Sequence, residues 1–97
     1  MIRVGLLGTG RIGRLHAETI ASHSESSLHA VSDIDSESAN ELANQYGVTV
    51  KPADDVISDP NVDAILIATS TDTHSEFIEK ASLAGKAILC EKPVDLN

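Results

Sequence analysis

The chain predicts a doubly wound α/β fold, a parallel sheet of about five strands with helices on both faces, and three observations carry that prediction. Short runs rich in branched apolar residues alternate with stretches of helical period, the pattern of repeated βαβ units. One such run, Val62 to Ala68, is nearly all apolar, as a strand covered on both faces must be. Gly8-Thr9-Gly10-Arg11-Ile12-Gly13 stands where the first run gives way to the first helical pattern, a context in which glycine spacing carries meaning.

Each element follows in order. Ile2 to Leu7 is the first strand and breaks at Gly8, after which Ile12, Leu15, His16 and Thr19 form a helical stripe. Leu28 to Asp33 is the second strand. Ser36 caps the next helix, with Asp35 as a polar residue ahead of it. The inner face of that helix is Ala39, Leu42, Ala43 and Tyr46, and Gly47 supplies a left-handed stop. Val48 to Val50 is a short strand, Asp54 to Ile57 a single helical turn, and Pro60 marks the loop before the fourth strand, Val62 to Ala68. Thr73 and Glu76 stand at capping-box spacing ahead of Phe77, Ile78, Ala81 and Ala84, and Gly85 closes that helix. Lys86 to Cys90 is the fifth strand. The expected strand order is 3-2-1-4-5, in one nucleotide-binding domain spanning residues 1–97, truncated before a further domain.

Composition narrows the function classes. Of the 97 residues, 41% are apolar and 23% charged, ordinary for a globular chain. The net charge is -8, from fifteen carboxylates against seven Lys and Arg, with no basic run to neutralise a nucleic acid backbone. Cys90 is the only cysteine, which excludes an internal disulfide and a multi-thiolate zinc site and fits a reducing compartment. No run of 18 apolar residues and no apolar leader is present, so a cytoplasmic protein without a membrane span is expected. His16, His23 and His29 lack ligand spacing, and no metal site is expected.

The chemistry concentrates at the carboxyl ends of the strands. In the glycine fingerprint, Gly8 permits the tight turn, Gly10 lets the backbone approach a pyrophosphate, and Gly13 lets helix and strand pack closely. Free amides of the helix start, among them those of Thr9, Arg11 and Ile12, then face the phosphates. Asp33 ends the second strand, twenty residues beyond Gly13, where a carboxylate accepts hydrogen bonds from the adenine ribose hydroxyls and repels a 2'-phosphate. NAD is therefore favoured over NADP. The Arg11 side chain could pair with a 2'-phosphate and offset Asp33, but is read as solvated.

After the fourth strand, Thr69, Ser70 and His74 are assigned to the cofactor's neighbourhood, while Thr73 serves the helix cap. Glu91-Lys92-Pro93 follows the fifth strand, at the sheet edge that also bears the glycine loop. Glu91 is counted with the cofactor positions. The Lys92 ammonium can hydrogen-bond a substrate hydroxyl and stabilise alkoxide character as hydride departs, or it can be a solvated loop lysine, and spacing alone leaves both readings open. A cis peptide is expected between Lys92 and Pro93.

The order GTGRIG, VSD, IATSTDTH and CEKPVDL resembles the glucose-fructose oxidoreductase and inositol dehydrogenase family, Gfo/Idh/MocA, over Met1 to Leu96. Many dehydrogenases share the glycine fingerprint, whereas Glu91-Lys92-Pro93 after strand five is specific to this family. The segments from Ser70 to His74 and from Cys90 to Leu96 are most similar to inositol 2-dehydrogenases. The resemblance implies a Rossmann domain holding NAD through Gly8, Gly10, Ile12, Gly13 and Asp33, with Lys92 acting beside the substrate hydroxyl. It also implies a second α/β domain, a homo-oligomer, and oxidation of a ring hydroxyl of a cyclitol or sugar polyol. A stand-alone NAD-sensing module without catalysis is the rival reading. Where many relatives carry Pro and Asn after the Ala-Thr pair, this chain has Ser70 and Thr71.

Overall fold

A computed structural model describes residues 1–69 and 74–90. The elements are β1 (Ile2–Leu7), α1 (Arg11–Ser22), β2 (Ser26–Ser32), α2 (Ser36–Tyr46), β3 (Thr49–Val50), α3 (Ala53–Ser58), β4 (Ala64–Ile67), α4 (His74–Leu83) and β5 (Ala87–Cys90). Every described strand pair is parallel and the sheet order is β3-β2-β1-β4-β5, the order the alternating pattern predicts. The crossover reverses between β1 and β4, which opens a crevice at the carboxyl ends of these strands.

The sheet carries a core on each face. Val4, Leu6, Leu28, Val31 and Leu66 meet Ala17, Ala39, Leu42 and Ala43 of α1 and α2. Leu7, Ala30, Ile65 and Ile67 meet Val56 and Ile57 of α3 and Ala81 of α4 on the other. Leu28 and Val31 share a face although they lie three residues apart. The register explains it: Val4 pairs with Leu28 but Gly5 with Ala30, so His29 is an extra residue in β2. Such an insertion reverses the in-and-out parity of everything after it.

The displaced His29 meets a buried carboxylate. Asp59, at the C-cap of α3, lies 3.4 Å from His29 Nε2, accepts 2.7 Å from Lys51 Nζ, and accepts 2.8 Å from the Asn61 amide. These partners, the Lys51 hydrogen bond first, bring its pKa down to about 2. Lys86 Nζ donates nearby to the main-chain carbonyls of Asp59 and Val62, at 2.6 and 2.5 Å.

Two local expectations are corrected. The cap of α2 is Asp35, whose Oδ1 accepts from the amides of Glu37 at 3.1 Å and Ser38 at 3.3 Å. Ser36 is already inside the helix. The buried stripe of α1 is Gly13 and Ala17 with Ile20 packed behind them, one residue further along than expected. Ile12 and Leu15 are instead 37% and 55% exposed. The helix rests on the sheet through its smallest residues because a Cβ at Gly13 would strike the Gly8 carbonyl, and larger side chains turn outward.

Candidate functional site

The first turn after β1 is built by what its glycines lack. Gly8 has φ +103°, and a Cβ there would stand 2.6 Å from the Ala68 carbonyl oxygen at the end of β4. Its amide donates to the Ser32 carbonyl at 2.8 Å, while the Ala68 amide donates to the Leu7 carbonyl at 2.7 Å. The turn is thereby stitched to both neighbouring strands. Gly10 is the N-cap of α1, makes no side-chain capping bond, and is followed by a first turn without acidic residues. A Cβ on Gly10 would meet nothing within 4 Å. The N-terminal amides of a twelve-residue helix thus open onto free space, with the positive end of the helix dipole behind them.

That space is a cleft of about 280 Å³ at the β1–β4 reversal. Leu7, Gly8 and Gly10 form one wall, and Ser32, Asp33 and Ile34 at the end of β2 form another. Ala53, Ala68, Thr69 and Phe77 close the far side. Ile34 is fully exposed, an apolar side chain left in solvent at the rim.

Asp33 faces the glycine turn. Its Oδ2 accepts from the Thr9 amide at 2.6 Å and the Thr9 hydroxyl at 2.9 Å, and its Oδ1 accepts from the Asp35 amide at 2.9 Å. Burial pushes its pKa up, but donation from the amides of Asp35 and Thr9, the Thr9 hydroxyl and the Ile34 amide outweighs burial and holds the carboxyl below the usual carboxylate range. Both Thr9 donors fall on Oδ2, and Oδ1 takes the Asp35 amide.

The structure brings Gly8, Gly10, Asp33 and Thr69 around one cleft. His74 opens α4 with Nε2 2.9 Å from the Thr69 carbonyl, so it joins the loop it follows. Gly13 packs beneath the turn, and Ile12 stands half exposed beside it. One expectation changes. Thr9 is completely buried, with amide and hydroxyl both spent on Asp33, so it works behind the cleft wall. The Arg11 side chain is exposed, as expected, and lines a separate groove between α1 and α2 with Arg14, Leu15 and Tyr46. Ser70, Glu91, Lys92 and the Lys92-Pro93 bond lie outside the described residues. Among the described residues no cluster suits a metal ion.

Sequence reasoning missed Arg14 and Ser38. Arg14 Nε donates to the Thr9 carbonyl at 3.1 Å, and its Nη2 reaches Glu41 at 2.8 Å and Ser38 Oγ at 3.4 Å. Ser38 Oγ also donates to the Thr9 carbonyl at 3.0 Å. No spacing rule joins a residue of α1 to one of α2, so only the packing of the two helices reveals the contact. Ile34 had a sequence signal, an apolar residue directly after the strand-ending acid.

The family model GFO_IDH_MocA, described as an oxidoreductase family with an NAD-binding Rossmann fold, matches residues 2–97. Inositol 2-dehydrogenase of Rhizobium meliloti (strain 1021) is 44% identical over 96 residues, covering 99% of this chain and 29% of that protein. The solved structure of myo-inositol dehydrogenase from Lactobacillus casei, in complex with NAD(H) and myo-inositol, superposes with a TM-score of 0.91 at 29% identity, covering 96% of this chain and 29% of that one. Biliverdin reductase from Synechocystis sp. PCC 6803, in complex with biliverdin and NADP+, superposes at 0.90 with 31% identity, covering 98% of this chain and 30% of that one. The chain therefore spans less than a third of the length of each. Strand order, glycine turn and family model agree: this chain belongs to the Gfo/Idh/MocA oxidoreductase family and is its NAD-binding Rossmann fold.

Proposed function

We propose that the cleft takes NAD in preference to NADP, and that the domain serves an enzyme oxidising a ring hydroxyl of a cyclitol or sugar, most closely an inositol 2-dehydrogenase. The observation that carries the cofactor reading is the pairing of an ionised Asp33 with the open turn at Gly10. The turn offers main-chain N–H donors where a pyrophosphate needs them, and empty space where a side chain would obstruct it. Asp33 offers a carboxylate oxygen to a ribose hydroxyl and a negative charge against a 2'-phosphate. The exposed Ile34 beside it suits the face of a purine.

NAD supplies the hydride acceptor when bound, and this chain's own residues bind and orient it. Gly8 and Gly10, with the amides of Arg11 and Ile12, receive the phosphates, Thr69 lines the far side, and His74 holds the Thr69 carbonyl. Ser70 and Glu91 are proposed beside the cofactor on sequence position. Lys92 is proposed next to the substrate hydroxyl, because in sequence it follows by two residues the end of β5, at the carboxyl edge where this fold class does its chemistry. A cyclitol or sugar substrate comes from the resemblance and from the names of the relatives. A homo-oligomer, a cytoplasmic setting and the absence of nucleic acid partners belong to the same reading. The acidic composition and lone Cys90 support the last two. Among the described residues no helix is long and apolar enough to cross a membrane.

NADP is the competing ligand, since one structural neighbour holds it. Titration calorimetry of the chain with each cofactor, repeated on Asp33→Ser, tests the reading. NAD binding more tightly than NADP, with the gap narrowed in the variant, is the expected result. Equal affinities in the unaltered chain would remove Asp33 as the discriminator, and no binding of either would end the proposal.

A further inference from the structure

We infer that Thr9 is a positioning residue for cofactor recognition: its buried amide and hydroxyl aim the Asp33 carboxylate at the cleft, with Ser38 and Arg14 holding Thr9 in turn. The inference rests on the cofactor reading above and deepens it. Thr9 belongs to the glycine turn, yet it has no exposed surface and cannot touch a ligand in the cleft.

The hydrogen-bond inventory fixes the direction of every donor. Asp33 is held ionised and can only accept. Thr9 Oγ lies 2.9 Å from Asp33 Oδ2 and 3.0 Å from Ser38 Oγ, but a hydroxyl has one proton. The charge-assisted bond to the carboxylate takes it. Ser38 must then turn its own proton toward Thr9, whose carbonyl lies at 3.0 Å. Arg14 has donors only, and it directs Nε to the Thr9 carbonyl and Nη2 to Ser38 Oγ. Arg14 Nε and Ser38 Oγ thus both donate to the Thr9 carbonyl, while the Thr9 amide and hydroxyl both donate to Asp33, so the two helices hold the turn and the turn holds the carboxylate at the end of β2.

The consequence is geometric. Thr9 bonds Oδ2 twice, which opposes rotation of the carboxylate and directs Oδ1, already bonded to the Asp35 amide, as the oxygen that would meet a ribose hydroxyl. The other charged groups around this chain are Glu41, which takes the outer side of Arg14 at 2.8 Å, and Asp35, whose carboxylate is committed to capping α2.

The test compares Thr9→Val, which keeps shape and amide but deletes the hydroxyl, with Thr9→Ser, which restores it, in the full chain. NAD and NADP affinities are measured by calorimetry across pH, and the Asp33 carboxyl is titrated by NMR in the absence of cofactor. The expected result for Thr9→Val is roughly a tenfold loss in NAD affinity, a much smaller change for NADP, and an Asp33 pKa raised toward the ordinary value. Thr9→Ser should recover most of all three. A merely structural Thr9 would lower NAD and NADP affinity together and leave the Asp33 titration in place, and that outcome overturns the inference, as does a Thr9→Val chain identical to the parent. Failure of the parent chain to bind NAD removes the cofactor reading itself. The ligand-free NMR titration then still reports whether the Thr9 hydroxyl holds Asp33, and an unmoved pKa refutes that as well. Should Thr9→Val not fold, Ser38→Ala tests the next link, with a smaller shift of the same sign expected and none refuting it.

Discussion

Gly10→Ala separates the binding role of the glycine turn from its folding role. At φ -71° the backbone of Gly10 suits any residue, and an added methyl meets no atom within 4 Å. The folded state loses only the helix-cap preference of Gly over Ala, about 0.5–1 kcal/mol. The unfolded chain loses freedom worth a similar ~0.4–1 kcal/mol in the opposite direction. These terms nearly cancel, so the melting temperature should stay within about 5 °C of the parent. Binding has no such compensation. The methyl would enter the space where a pyrophosphate meets the helix amides, and each charged hydrogen bond lost there is worth about 1.5–3 kcal/mol. NAD affinity should therefore fall by roughly tenfold or more. Gly8→Ala supplies the contrast, because at φ +103° its methyl would lie 2.6 Å from the Ala68 oxygen. Left-handed strain of about 1–2 kcal/mol adds to displacement of β4, and a fall in melting temperature of about 10 °C or more should follow. Thermal unfolding by circular dichroism and calorimetric titration with NAD measure both quantities. Unchanged NAD affinity in Gly10→Ala would mean that the phosphates do not sit over this turn, and the functional reading would have to be abandoned.

Two further predictions concern the Asp59 cluster. Its folded pKa of about 2 lies below the unfolded value of about 3.9, so its stabilisation is complete above that unfolded value and is lost as pH falls toward 2. Asp59→Asn should flatten the decline in stability across this window, and an equally steep acid limb, followed by circular dichroism, would disprove the assignment. Lys86→Met should cost about 1–3 kcal/mol, since the carbonyls of Asp59 and Val62 lose their ammonium donor. Chemical denaturation measures this, and a stability equal to the parent's would show that water replaces the lysine without loss.

Much of the architecture was legible before any coordinates. The branched apolar runs define the strands because a parallel sheet buries both faces, and their alternation with helical stretches leaves few permitted topologies. The glycine turn and Asp33 were legible for a related reason. A positive φ at Gly8 and close packing at Gly13 are demands of backbone geometry that restrict the residue type there, and Asp33 was legible from its position at the end of β2, where a carboxylate suits a ribose.

The phase of α1 was not legible, because large apolar residues at 12 and 15 imitate a buried stripe, while the real contact uses Gly13 and Ala17. A hydrophobic pattern gives the period of a helix, but closeness of approach selects the face. The bulge at His29 was hidden in the same way, since one extra residue leaves no compositional mark.

What the residues alone determined is the set of elements, their order in the sheet, and the glycine turn, which follow from local conformational preference and burial, together with the strand-end acid, which follows from its position. What only the tertiary structure decided is the duty of each polar side chain in that turn. Thr9 and Asp33 are 24 residues apart, and Arg14 and Ser38 likewise. Hydrogen bonds act over about 3 Å, so their partners become known only when the packing of two helices and two strands has fixed where every donor points.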